Sequence, residues 1–285
     1  MPEKRLRLIY DLDAIAFKAC SAAEKDVDWG DGFWSVYAQE VDIIACYEHI
    51  IQQHKEAVRK HYSLKEFKAA EIVFVLSVGD NWRIKYEPTY KASRRRAVKI
   101  NRKPVGYYWL LNYVQQLSDV RWRDGYEGDD VAGILATSET DKYENVIVAL
   151  DKDFKTIPCK FIRLTDGHLY DLDRTEAFRN LMLQTLSGDV TDGYPGCEGV
   201  GAVKAGRILK DLKYINEMEF ATEREFSCVE FKKLFPDLTL KQFCKEGFEE
   251  ETKAAMIAGE DAYLRQYYLA RILKSGDRLP EEVSV

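Results

Sequence analysis

The sequence predicts an α/β fold: a mainly parallel central sheet flanked by helices and followed by a helical region. Three observations carry that prediction. Apolar runs of strand length at residues 6–10, 71–78, 120–123 and 146–150 alternate with helix-like stretches, the pattern of a sheet covered on both faces by its crossover helices. Acidic residues follow several of those runs (Asp11 and Asp13; Glu127, Asp129 and Asp130; Asp151 and Asp153), and open α/β sheets gather functional groups at the carboxyl ends of their strands. Beyond residue 192 the strand-like runs cease and helical spacing takes over.

Each element follows from its own pattern. Residues 6–10 read as a buried strand, with 14–23 as the helix packed behind it. Residues 28–34, rich in Trp, Gly and Asp, suggest an irregular connection. From 35 to 60 the spacing is helical and puts Val36, Ile43, Ile44, Tyr47, Ile50 and Ile51 on one face. Residues 71–78 form a strongly apolar strand, stopped by the turn-like Gly79-Asp80-Asn81. Pro104 suits the opening of a helix, and 105–117 turns Tyr108, Leu111 and Val114 toward the core. Residues 161–164 and 168–172, separated by Thr165-Asp166-Gly167, read as a strand and turn at the sheet edge. Helical runs follow at 178–186, at 202–212 behind the glycine-rich 196–201, and at 263–273. The chain therefore divides into residues 1–186 and a helical region 187–285, with no internal repeat or low-complexity tract.

Composition narrows the function. An apolar content of 46% over 285 residues supports a proper core, and no apolar run approaches the length of a membrane span. The amino terminus lacks a signal-peptide apolar region, so a cytoplasmic setting is expected. The six cysteines are scattered without a close pair, which points to reduced thiols rather than zinc or disulfides. His49, His54 and His61 fall on a polar helical segment and are expected at the surface. The net charge of −6 hides an asymmetry: residues 83–103 hold nine Lys or Arg and one acid, a local +8 that leaves −14 on the rest. A basic stripe on an acidic body is the footprint of a phosphate-backbone binder. Trp82, Tyr86 and Tyr90 are interleaved among its cations, and aromatic faces can stack on unpaired bases.

The acids point to a metal. Glu127, Asp129 and Asp130 fall within four residues at a strand-to-helix junction. One acid there would only complement the helix dipole; three repel unless cations are present, and clustered carboxylates suit Mg2+ or Mn2+. Asp11, Asp13, Asp151 and Asp153 at strand ends, with Asp189 and Asp192 in a glycine-bounded loop, converge on the same point if the sheet is parallel.

Taken together, these segments resemble the 5′-nuclease or flap-endonuclease superfamily, most nearly the 5′–3′ exonucleases of short-tailed bacteriophages. The likeness runs through Ile9-Tyr10-Asp11-Leu12-Asp13, Asn81-Trp82-Arg83, Pro88-Thr89-Tyr90-Lys91-Ala92, Lys103-Pro104-Val105-Gly106-Tyr107, Glu127-Gly128-Asp129-Asp130-Val131, Asp151-Lys152-Asp153-Phe154 and Gly188-Asp189-Val190-Thr191-Asp192-Gly193, with Ala270-Arg271-Ile272-Leu273 near the end. It covers residues 5–210 and that late stretch.

The resemblance implies a PIN-like nuclease core, a basic helical arch over 82–104 and a helix–turn–helix hairpin that grips duplex DNA. It carries metal ligation to Asp11, Glu127, Asp129, Asp130, Asp151, Asp153, Asp189 and Asp192. A further acid is expected before the Trp-Arg pair, where Ser77 or Val78 stands instead; Asp80 is the nearest candidate, and Asp13 is expected behind the ligands. Lys91, Arg94 and Asp130 are the implied catalytic groups, and Arg83, Tyr90, Lys91, Arg94, Arg95, Arg96, Gly199, Gly201 and Lys204 the implied DNA contacts, with Tyr90 as a stacking residue. The implied cofactors are two Mg2+ ions, replaceable by Mn2+, and a K+ ion at the hairpin. The implied substrates are double-stranded DNA with 5′ ends, nicks or flaps, and RNA–DNA hybrids, in phage replication, primer removal or recombination within the host cytoplasm.

Two other readings compete. Asp11 and Asp13 at a strand end resemble the paired aspartates of phosphatases with an aspartyl nucleophile, but that leaves the other acids and the basic stretch without a role. A DNA-binding replication accessory protein that has lost catalysis would account for the basic stretch but would not need so many acids.

Overall fold

The computed structural model describes residues 4–93, 102–210, 253–280 and 283. Its centre is a six-stranded sheet in the order β5-β4-β1-β6-β7-β8. The strands are β1 (Arg5–Asp11), β4 (Glu71–Val78), β5 (Asp119–Asp124), β6 (Tyr143–Ala149), β7 (Lys160–Arg163) and β8 (His168–Asp171). All pairings are parallel except β7 with β8, which form the expected antiparallel pair at the edge. From β1 the chain builds outward through β4 to β5, then returns to the other side of β1 with β6. The order therefore reverses between β1 and β6, the crevice where such sheets bind ligands.

The period-2 alternation of the strands sorts side chains onto two faces. Leu6, Leu8 and Tyr10 of β1, Phe74 and Leu76 of β4, and Val146 and Val148 of β6 share one core. That face is covered by α1 (Leu12–Ala23), α2 (Glu40–Arg59) and α5 (Tyr107–Leu117). Ile9, Val75, Ile147 and Ala149 face the opposite way, onto α6 (Gly128–Ala136) and the carboxyl-terminal residues Ile272 and Leu273. That tail lies so close to α6 that a Cβ on Gly133 would overlap the Leu273 carbonyl. A third cluster joins α7 (Arg174–Ser187), α8 (Ala202–Lys210) and α9 (Lys253–Ala270) through Met182, Leu186, Val200, Leu209 and Tyr263.

Four local expectations are corrected. Residues 28–34 belong to an antiparallel ribbon of β2 (Lys25–Asp28) and β3 (Trp34–Tyr37), reversed through Gly30, Asp31 and Gly32, all at positive φ. Val36 is thus in a strand, and the helix starts only at Glu40. His54 is buried, stacked on Tyr10 with centroids 5.7 Å apart, and burial pushes its pKa down to about 4. The last helix ends at Ala270, because 271–273 run as non-helical chain whose Leu273 N–H donates to Asp130. Two short helices, α3 (Leu64–Ala69) and α4 (Trp82–Tyr86), complete the described α-helices. No described helix is long and apolar enough to cross a membrane.

Candidate active site

Four separate stretches of chain bring eight acids to one cavity of about 610 Å3 at the carboxyl ends of β1, β4 and β6. Asp11 ends β1 and caps α1, accepting from the Ala14 N–H at 3.2 Å. Asp13 lies in the first turn of α1. Glu127 is the residue before α6, and Asp129 lies in its first turn. Asp151 follows β6 and caps a 3-10 turn (Lys152–Thr156) that contains Asp153. Asp189 and Asp192 sit in the loop after α7, which leaves the helix through Gly188 at φ +70°. Asp189 accepts from the Thr191 N–H at 2.7 Å, a tight turn that holds both acids on the cavity wall.

So many negative charges raise one another's carboxyl pKa values. Burial, and then Asp13 and Asp151, push the Asp11 pKa up to about 7. Burial, then Asp151, pushes Asp153 up to about 6. Asp129 is raised as well, by burial and then by Asp11 and Glu127. Two lysines relieve part of this. Lys91 Nζ lies 2.7 Å from Glu127 and 3.7 Å from Asp192, and Lys152 Nζ lies 3.8 Å from Asp153 and 3.9 Å from Asp189. In both places a cation sits between acids that would otherwise repel. The donor set, all carboxylate oxygen, fits hard divalent ions. Among the described residues no three His, Cys, Asp or Glu side chains are drawn tightly enough to hold an ion as they stand. The acids ring the cavity on independent supports.

Lys91 is held there by its backbone. It has φ +52°, a left-handed conformation that non-glycine residues rarely adopt, and its N–H donates to the Asp192 carbonyl at 2.7 Å. That bond ties the start of the basic stretch to the loop that carries two of the acids.

No protein-family model matches the chain. It is 30% identical over 267 residues to an exodeoxyribonuclease of Enterobacteria phage T3, an alignment that covers 84% of this chain and 85% of that protein. It is 35% identical over 201 residues to an exonuclease of Escherichia phage T7, covering 68% of this chain and 63% of the other. This chain belongs to the family of these phage exonucleases. The T5 5′-exonuclease with bound zinc ions has the same fold, with a TM-score of 0.55 over 93% of this chain and 89% of that one, at 15% identity.

Within this chain, several expected residues take other positions. Asp130 does not line the cavity. It is fully buried and accepts from both Arg83 terminal nitrogens (2.8 and 2.7 Å), the Trp82 indole (3.0 Å) and the Leu273 N–H (3.1 Å). Burial alone would raise its pKa, but the Arg83 charge and these bonds hold it below the usual carboxylate range. Arg83, expected on DNA, is 2% exposed and spends its guanidinium on Asp130, Glu127 and the Arg271 carbonyl. Tyr90, expected to stack on bases, is also 2% exposed. Its ring packs among Leu181, Tyr194 and Leu269, and its hydroxyl donates to Glu127 and Asp192.

Asp80 is exposed and off the cavity, because Gly79 at φ +75° turns the chain away first. Ser77 occupies the end of β4 instead. Its Oγ accepts from the Gly128 N–H at 2.8 Å, and its own N–H donates to Asp13 at 2.8 Å. Asp13 also accepts from the Tyr107 hydroxyl at 2.6 Å. Gly199, at φ +71°, and Gly201 are exposed, and a Cβ at either would meet nothing within 4 Å. Lys204 is exposed on α8, its Nζ 3.5 Å from the Gly199 carbonyl. Arg94, Arg95 and Arg96 lie outside the described residues.

Sequence reasoning missed Lys103, Tyr107 and Tyr108 as part of the cavity wall, together with Tyr194. Tyr108 was expected in the core, yet it is 67% exposed. The available signal was the place of Lys103 at the end of the basic stretch and of Tyr107 and Tyr108 at the start of the helix that follows it.

Proposed function

We propose that this chain is a metal-dependent 5′–3′ exonuclease with flap-endonuclease-type activity. It cuts phosphodiester bonds of duplex DNA, and RNA annealed to DNA, inward from 5′ ends, nicks or flaps. The supporting observation is the convergence of Asp11, Glu127, Asp129, Asp151, Asp153, Asp189 and Asp192 on one cavity, with Lys91 inside it. The seven carboxylates would hold two Mg2+ ions, or Mn2+ in their place, which when bound would supply an activated water and stabilise the leaving 3′ oxygen; Ser77 and Tyr107 orient Asp13 behind those carboxylates. Lys91 faces the reacting phosphate and balances the charge that develops on it. Products carry 5′-phosphates. A base next to the cut must leave the duplex stack to let its phosphate enter, at about a few kcal/mol.

Residues 1–186, with Asp189 and Asp192 from the loop just beyond, make up the nuclease core, and the basic stretch 82–104 supplies phosphate contacts through Arg94 to Arg96. Residues 187–285 supply the duplex grip. The exposed, side-chain-free Gly199 and Gly201 at the start of α8 suit close approach of phosphate to backbone, with a K+ ion held by the same turn. The biological setting is phage DNA replication, primer removal or recombination in the host cytoplasm.

The test is hydrolysis of 5′-labelled blunt, nicked, flapped and RNA–DNA substrates in Mg2+ and in EDTA. Mg2+-dependent release from the 5′ end is expected. Equal cleavage in EDTA, or degradation only from 3′ ends, would overturn the reading.

A further inference from the structure

The cavity has two unlike walls. On the Lys91 side Tyr90 also lines the cavity, but its ring is packed in the core at 2% exposure and only its hydroxyl reaches the acids. On the other side an aromatic ring stands open: Tyr108 lines the cavity and is 67% exposed. Large exposed aromatic rings beside a charged site have no role in the core, and nucleobases stack on such faces whatever their identity.

The ring is also held in place. Tyr108 lies in the first turn of α5, whose start is set by Gly106 at φ +80° packed against Ile43. It meets the Tyr107 ring at 85° with centroids 5.2 Å apart. Tyr107 is itself buried, its hydroxyl donating to Asp13 at 2.6 Å. The Lys103 ammonium lies 4.2 Å over the Tyr107 ring, on the same cavity wall. The same rings that orient an acid of the site thus fix the tilt of Tyr108, and a cation for the neighbouring phosphate stands beside them.

We propose that Tyr108 is a stacking platform for the unpaired base of the nucleotide whose phosphate enters the carboxylate cavity, with Lys103 holding the adjacent phosphate. The inference rests on the nuclease reading and deepens it. It makes the open wall of the cavity a determinant of which substrates are cut: a nucleotide that can be unpaired and stacked is favoured over one that cannot.

The test combines binding and cleavage. A duplex carrying 2-aminopurine at the nucleotide next to the cut is titrated with the wild type, Tyr108→Ala, Tyr108→Leu and Tyr108→Phe in Ca2+. The wild type and Tyr108→Phe are expected to quench its fluorescence on binding; the Ala and Leu variants are not. In Mg2+, removing that base to leave an abasic site is expected to slow wild-type single-turnover cleavage by about 10-fold, the scale of one stacked base, and to cost the Leu variant less than about twofold. Should Tyr108→Ala fail to fold, the Leu and Phe pair and the wild-type abasic penalty still decide. Equal quenching by all variants, or an equal abasic penalty in wild type and Tyr108→Leu, would overturn the stacking role. Failure of the wild type to cut the intact substrate would instead overturn the nuclease reading itself.

Discussion

Asp129 and Asp130 are neighbours in one turn of α6, and the molecule uses them in opposite ways. Asp130 faces inward and is fully satisfied by Arg83, Trp82 and Leu273; its charge is neutralised and its pKa lowered. Asp129 faces the cavity among Asp11, Glu127 and Asp151, with Lys91 as partial relief, and its pKa is raised. The two sides of one helix turn thus separate fold from function. Charge that is paired and bonded holds the α6, α4 and carboxyl-terminal segments together. Charge left in excess is unfavourable in the folded chain, and the divalent ions proposed above would relieve it.

Breaking the paired side is expected to have the largest effect. Asp130→Ala leaves the buried Arg83 with Glu127 as its main remaining acidic partner and should cost about 3 kcal/mol of stability, because an uncompensated buried charge is strongly unfavourable. Denaturant unfolding in EDTA measures this; a loss below about 1 kcal/mol would erase the distinction between the two acids.

The excess side should behave in reverse. Asp129→Asn is expected to slow Mg2+-dependent cleavage by on the order of 10²-fold or more, while the EDTA-state stability stays level or rises as one repelling charge disappears. A variant that is both active and less stable would assign Asp129 to the fold.

Lys91 sharpens the same contrast, since it serves the cavity rather than the core. Lys91→Ala should slow single-turnover cleavage at saturating enzyme by about 10²-fold. A loss rescued by excess enzyme would make it a binding residue only.

The smallest effect is a pH dependence. Asp11 at about 7 and Asp153 at about 6 bind protons more tightly in the folded chain than their ordinary value of 3.8 allows when unfolded. Stability from these two is therefore present at low pH and declines as pH rises toward 7. His54 acts oppositely, since its folded value near 4 lies below its ordinary 6.5, but above pH 6.5 it is mostly neutral in both states. Metal-free Tm should thus fall between pH 6.5 and 8, less so for Asp11→Asn, and Mg2+ should suppress the fall. A flat or rising Tm in EDTA would show that the cavity acids do not repel as described.

The alternation of short apolar runs with helical spacing determined the parallel sheet, because burial on both faces demands that pattern whatever lies between. Seven acids of the cavity were also legible, each tied to a strand or helix end whose direction follows from a parallel sheet. Periodicity could not tell Asp129 from Asp130. Which faces the cavity depends on Arg83, 47 positions from Asp130, and on the carboxyl-terminal chain that closes over α6. Nor could it place Tyr90 inside and Tyr108 outside, since aromatic residues read alike until their neighbours are known. By chain distance Asp80 is the nearest acid candidate at the end of β4, but a positive-φ glycine turns it away and leaves Ser77 at the wall. The His54 stack and the β2–β3 ribbon were likewise decided by contacts distant in sequence or by backbone conformations that glycine permits. Local pattern determines elements and their ends; which side of an end carries chemistry is settled by what packs against it.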